Sequence, residues 1–120
     1  MPAPVDLATF KPNSARDFGD AILSHVVPVL GSHAKQGLKE LESHIRSFAA
    51  ESFATADDLA SGRISAQEAD YLMRMQQSYL NNILRLAAFL PYVLAQAVLD
   101  TATKVARAAI RNWTGIDLGF

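Results

Sequence analysis

The sequence predicts an all-α fold, and three observations carry that expectation. Apolar residues recur at a 3.6-residue period along most of the chain. Before the short C-terminal tail no stretch alternates apolar and polar residues at period two, and few β-branched residues outside the neighbourhood of Pro28 are present from which to build strands. Ser14, Ser65 and Gly62 stand where helix caps and stops belong. The expected architecture is a helical hairpin or bundle built around a long C-terminal helix kinked near Pro91, with a compact four-helix bundle as the alternative.

Residues 1–13 carry Pro2, Pro4 and Pro12, which remove amide donors and hold their predecessors extended. The segment reads as an N-terminal tail, and its Val5, Leu7 and Phe10 are apolar enough to lie along a groove of this chain or of a neighbouring subunit. Ser14 followed by Asp17 is an N-cap with an acid at the third helical position. A first helix is expected over residues 15–30 with Phe18, Ile22, Val26 and Val29 on one stripe, ending early or kinking near Val27 because Pro28 follows. Gly31 and Ser32 read as stop and restart.

The second helix is expected over residues 33–61, with Leu38, Leu41, Ile45, Phe48, Phe53, Ala56 and Leu59 as its apolar stripe. Gly37 is a weak point in it, about 1 kcal/mol worse than alanine. Glu40, His44 and Glu51 occupy its other side. Two-metal helical bundles require Glu-x-x-His repeats, which this chain lacks, so the Glu40 and His44 pair reads as a solvated face. His25 and His33 likewise lack recognisable partners.

Gly62 should end the second helix, and Ser65 with Glu68 forms a capping box preceded by Ile64 at the staple position. The twelve residues from Asp57 to Glu68 also align in part with a calcium-binding EF-hand loop, placing Asp57, Ser61 and Glu68 at ligand positions and Gly62 at the required glycine. Leu59 falls where the third position needs a side-chain oxygen. A degenerate calcium-binding module is therefore kept only as a minor alternative to a cap and turn.

Residues 66–112 carry the longest helical pattern. Arg74, Ser78, Asn81, Arg85, Gln96, Asp100, Lys104, Arg107 and Arg111 mark a polar side, and Leu72, Met75, Tyr79, Ile83, Leu86, Leu90, Val98, Val105, Ile110 and Trp113 fill the other. An unbroken helix here would run about 72 Å, so Pro91 is expected to bend it. No Gly, Asn or Ser flanks Pro91 to make a reversing loop, which favours a bent continuous helix over two antiparallel ones. Residues 114–120 form an apolar C-terminal tail in which Ile116, Leu118 and Phe120 alternate like a short extended peptide.

Composition narrows the function classes. Half the residues are hydrophobic and 19% are charged, which places the chain among ordered rather than disordered proteins. The net charge of −1 gives no electrostatic reason to bind nucleic acid. Charge is uneven, however: residues 1–62 carry 5 Lys and Arg against 8 Asp and Glu, and residues 63–120 carry 6 against 4. The absence of cysteine excludes disulfides, thiolate metal sites and cysteine nucleophiles. Met1 to Lys11 shows no basic stretch followed by an apolar run, so the cytoplasm is the expected location. The most apolar window, Leu86 to Ala95, is half the length of a membrane span.

No convergent set of acids, bases or nucleophiles appears, and no cofactor is expected. The sequence therefore points to a non-enzymatic helical self-assembly or interaction protein. Its partner is expected to be a second copy, meeting through Leu86, Phe89, Leu90, Tyr92, Val93 and Leu94, with Ile116, Leu118 and Phe120 as a docking tail for an adjacent subunit or another protein. A peripheral membrane-associated or membrane-active protein is the alternative, with residues 83–99 inserting and Lys104, Arg107 and Arg111 contacting anionic headgroups.

Overall fold

Ser14 starts the first helix, α1 (Ala15–Leu30), in the way its spacing to Asp17 requires. Its hydroxyl accepts the Asp17 backbone N–H at 3.0 Å, and the Asp17 carboxylate accepts the Asn13 N–H at 2.9 Å. The computed structural model describes residues 4–120; Pro2 and the start of the N-terminal tail lie outside the described residues. Pro28 does not end α1 at Val27, because so near the C-terminus its missing N–H removes only one hydrogen bond. The helix stops three residues after Val27, where Gly31 takes φ +55° and its N–H reaches the Val27 carbonyl.

A three-residue 3-10 turn, Gly31–His33, reverses the chain into α2 (Ala34–Ala60), 27 residues long. The longest near-continuous helical run is therefore N-terminal, over residues 15–60. The stripe expected of α2 faces inward: Leu41, Ile45, Phe48, Ala56 and Leu59 are buried, while Leu38 and Phe53 are half-buried. Gly37 has a packing reason, since a Cβ there would lie 2.6 Å from the Leu30 methyl. Asp20 of α1 meets Arg46 of α2 at 2.9 Å, as antiparallel neighbours do.

The junction from α2 to α3 (Ala66–Leu86) is the cap and turn its sequence spells out. Gly62 takes φ +75°, where glycine alone is unstrained. The Ser65 hydroxyl accepts the Glu68 N–H, and the Glu68 carboxylate accepts the Ser65 N–H, both at 3.1 Å.

The bent continuous helix expected around Pro91 is not what forms. α3 ends at Leu86, residues 87–91 make a tight apolar turn, and the chain reverses into α4 (Tyr92–Thr114). Ala87 is extended at ψ 100°, the Leu90 N–H returns to the Ala87 carbonyl at 3.0 Å, and Pro91 occupies the N-cap position at ψ 148°. There its missing N–H costs nothing, because the first amides of a helix have no intrahelical partner. The molecule's longest dimension is 41 Å and its radius of gyration 13.6 Å, so a straight-through helix of about 72 Å could not have been covered by this chain. α4 ends in the ordinary way, with Gly115 at φ +77° and its N–H on the Arg111 carbonyl.

The four helices pack α1 on α2, α2 on α3, α3 on α4 and α4 back on α1. Phe18 and Ile22 of α1, Ile45 and Phe48 of α2, Leu80 and Leu84 of α3, and Val98 and Ile110 of α4 fill the centre. Both terminal segments lie on this core. The Asn112 amide donates to the Leu7 and Phe10 carbonyls at 3.0 and 2.9 Å. Phe10 meets the Phe18 ring edge-on, and His25 Nε2 lies 2.8 Å from the Val5 carbonyl. A carbonyl can only accept, so that ring nitrogen carries the proton.

Candidate interaction surface

On α3 the period has two apolar stripes, about a third of a turn apart. Ala69, Met73, Leu80 and Leu84 face the core and are buried. Tyr71, Leu72, Met75, Tyr79 and Leu86 do not: Tyr71 is 64% exposed, Tyr79 53% and Leu86 84%. The sequence reading put Leu72, Met75, Tyr79 and Leu86 on one continuous apolar side with Val98, Val105 and Ile110; the structure separates them, with the first four exposed and the last three buried. Once the chain reverses at residues 87–91, the phase of α3 is no longer tied to that of α4. The smaller stripe turns inward, where a close approach to α2 and α4 needs small or flexible side chains.

At the end of α3 the stripe reaches the apolar turn. Tyr92 and Val93 open α4 and are exposed, while Phe89, Leu90 and Leu94 are half-buried against the core. The Arg85 guanidinium lies over the Tyr92 ring, 4.5 Å from its centre, and donates to the Tyr92 hydroxyl at 3.2 Å and, through Nε, to Asn81 at 3.0 Å. This holds the exposed ring in place across the turn. On the other flank, Ile83 and Leu86 share a shallow groove of about 260 Å³ with Glu40 and His44 of α2. The outward apolar face is therefore bordered by a carboxylate and an imidazole on one side and a guanidinium on the other.

Of the residues expected at an interface, the structure thus gathers Leu86, Tyr92 and Val93 on the surface. The tail residues lie elsewhere. Leu118 and Phe120 are each only 5% exposed, and Ile116 is half-buried, all packed on this chain's own core. The tail folds back because Gly115 turns it toward α3 and α4, where Phe120 closes a groove and Asp117 reaches Arg107 at 3.8 Å. Tyr71 is the surface residue that sequence reasoning missed; its spacing of four from Met75 was the available signal.

The calcium-loop residues are engaged with one another. Arg63 bridges Asp58 at 2.7 Å and Asp57 at 3.0 Å, the Ser61 hydroxyl donates to the Asp57 carbonyl, and Glu68 caps Ser65. The hydrogen bond to Asp58, reinforced by the charges of Asp58 and Asp57, raises the Arg63 pKa above its ordinary value. A cation at Asp57 would have to displace that guanidinium. Among the described residues no group of three or more His, Asp or Glu side chains is placed to hold a metal ion.

Residues 83–99, the segment expected to insert in the membrane alternative, are split between two helices. Leu84, Ala95, Val98 and Leu99 from it are buried. No helix among the described residues is long and apolar enough to cross a membrane. The described residues form a compact all-helical fold of four α-helices with an exposed apolar flank on α3. Comparison with family models, with curated proteins and with solved structures finds no match.

Proposed function

We propose that this protein is a non-enzymatic helical self-association module that forms a homo-oligomer through the outward face of α3 and the adjoining turn. The observation that supports the reading is the exposed run Leu72, Met75, Tyr79 and Leu86. With Asn82 it repeats at alternating spacings of three and four, the seam of a helix that packs lengthwise on another. With Tyr71, the exposed part of the α3 face amounts to roughly 600 Å², taking about 200 Å² per large side chain. Tyr92 and Val93 bring it close to the 800 Å² or so that each partner contributes to a stable complex.

A second copy fits this face better than an unrelated partner. α3 carries Glu68 at its start and Arg85 at its end, while Asp70 is already paired with Arg74 at 2.8 Å. Laid antiparallel about a two-fold axis at Tyr79, two such helices set Leu72 against Leu86 and each Glu68 toward the other's Arg85. A cytoplasmic location remains the expectation that accompanies this reading.

Light scattering coupled to gel filtration tests it. The wild-type chain at tens of micromolar should run at twice its 13.0 kDa mass. Tyr79→Arg, which opposes two cations at the axis, should run as a monomer with unchanged helix content. A wild-type monomer at every concentration up to about ten times higher would falsify the proposal.

A further inference from the structure

Sulfur is distributed unevenly over this molecule. The chain has no cysteine, and among the described residues its methionines are Met73 and Met75, two positions apart on α3. Two residues of a helix turn through about 200°, so the pair looks in opposite directions. Met73 is wholly buried in the core, at 0% exposure, whereas Met75 is 51% exposed on the outward face. An oxidant arriving from solvent therefore meets Met75 and not Met73.

Met75 also sits where a change of polarity has most effect. Tyr71 and Tyr79 stand one helical turn before and after it, with Leu72 beside them, all on the exposed apolar stripe. In the antiparallel pair with its axis at Tyr79, Met75 lies four residues before the axis and faces Ile83, four residues after it, on the second copy. An aliphatic neighbour suits a thioether, which is apolar and polarizable. It does not suit a sulfoxide, whose strongly accepting oxygen would lose its water on burial there.

We propose that Met75 is an oxidative modification site, and that its conversion to the sulfoxide by a peroxide switches off self-association. A sulfur lone pair attacks one oxygen of hydrogen peroxide; the S–O bond forms as the O–O bond breaks, and the hydroxide released takes the proton of the new S–OH and leaves as water. The sulfur is oxidised by two electrons and the peroxide is reduced by the same two. A thiol-dependent methionine sulfoxide reductase returns the thioether, the oxygen leaving as water and two thiols becoming a disulfide, so the change is reversible. The attack takes place on the free chain, because the seam covers Met75 in the pair, and the oxidised chain is then withheld from re-association. The inference rests on the self-association read from this α3 face.

The experiment treats the full chain with hydrogen peroxide and reads two quantities separately. Trypsin cleaves after Arg63, Arg74 and Arg85, so Met73 and Met75 fall in different peptides, 64–74 and 75–85, and mass spectrometry follows each. The 75–85 peptide should gain one oxygen roughly tenfold faster or more, because oxidation follows exposure. Light scattering on the same samples should show the dimer giving way to monomer of unchanged helix content as Met75 is converted. The dissociation constant should rise roughly tenfold or more, the effect of burying a polar group without its water. Reductases acting on both sulfoxide epimers should restore the dimer. Met75→Leu, which keeps Met1 and Met73, is compared with itself before and after peroxide and should not respond. A wild-type chain already monomeric before treatment sinks the self-association reading and this inference with it. A dimer that persists after full conversion of Met75, equal oxidation rates at Met73 and Met75, or a Met75→Leu dimer lost to peroxide leaves self-association standing and overturns the switch.

Discussion

The docked C-terminal tail allows a prediction about how its side chains should respond to truncation. Leu118 and Phe120 are each 95% buried, and full burial of such side chains contributes about 1.5 to 3 kcal/mol apiece. Against that stands the ordering of residues 116–120 at about 1 to 2 kcal/mol for each backbone. The Arg107 to Asp117 pair, long and largely exposed, adds at most a few tenths. With the half-buried Ile116 the apolar gain reaches at most about 6 to 7 kcal/mol against an ordering cost of at least about 5, so the net docking free energy is small, no more than about 1 to 2 kcal/mol. A small net value caps the effect of any mutation, because a weakened tail simply lets go. In urea titrations Leu118→Ala, Phe120→Ala, their combination and removal of residues 116–120 should all lose about the same 1 to 2 kcal/mol, strongly sub-additive. The loss should be far below the 3 to 5 kcal/mol typical of Phe→Ala in a rigid core. If Phe120→Ala alone costs more than about 3 kcal/mol and Leu118→Ala adds its full share, the tail is an inseparable part of the core and the reasoning fails.

Three further predictions concern the two junctions that bound α2. Ser65→Ala and Glu68→Ala should each lower stability by about 0.5 to 2 kcal/mol by dissolving the capping box. Calcium should leave the wild-type melting temperature unchanged, and a rise of several degrees on its addition would show that the Arg63 bridge yields to the ion. Gly37→Ala gains about 1 kcal/mol of helix propensity, but its methyl would sit 2.6 Å from a carbon of the buried Leu30, and overpacking of this kind costs about 1 to 3 kcal/mol. The variant should therefore melt lower than wild type; a higher melting temperature in a thermal scan would show that the corner between α1 and α2 has slack.

Much of the fold was legible in the sequence where local chemistry decides it. Ser14 with Asp17, Gly31, Gly62, the Ser65 and Glu68 box and Gly115 each mark a helix boundary through hydrogen bonds made within a few residues. The reversal at residues 87–91 was not legible for the opposite reason. Ala87, Ala88, Phe89 and Leu90 contain no turn-forming side chain, and the turn is fixed by what lies on either side of it, Leu84 and Ala95 buried in one core. The inward phase of α3 followed from the same cause. Of its two apolar stripes, the sequence favours the one with larger side chains, and tertiary packing favours the one that lets three helices approach. The outward surface was consequently visible in the sequence as part of one long apolar side, of which Leu86, Tyr92 and Val93 were expected at an interface and are exposed.

The fastening of the N-terminal segment by Asn112 has a consequence for the order in which the chain acquires its structure on the ribosome. Leu7 and Phe10 are made well before the side chain that binds their carbonyls, which lies 105 and 102 residues later. The α1 and α2 hairpin, with Phe10 on Phe18, needs only residues within or next to its own span and is free to form early, while the Leu7 and Phe10 carbonyls wait for the last helix. A bulky fusion at the N-terminus would thus interfere with the final closing step and leave the early hairpin intact.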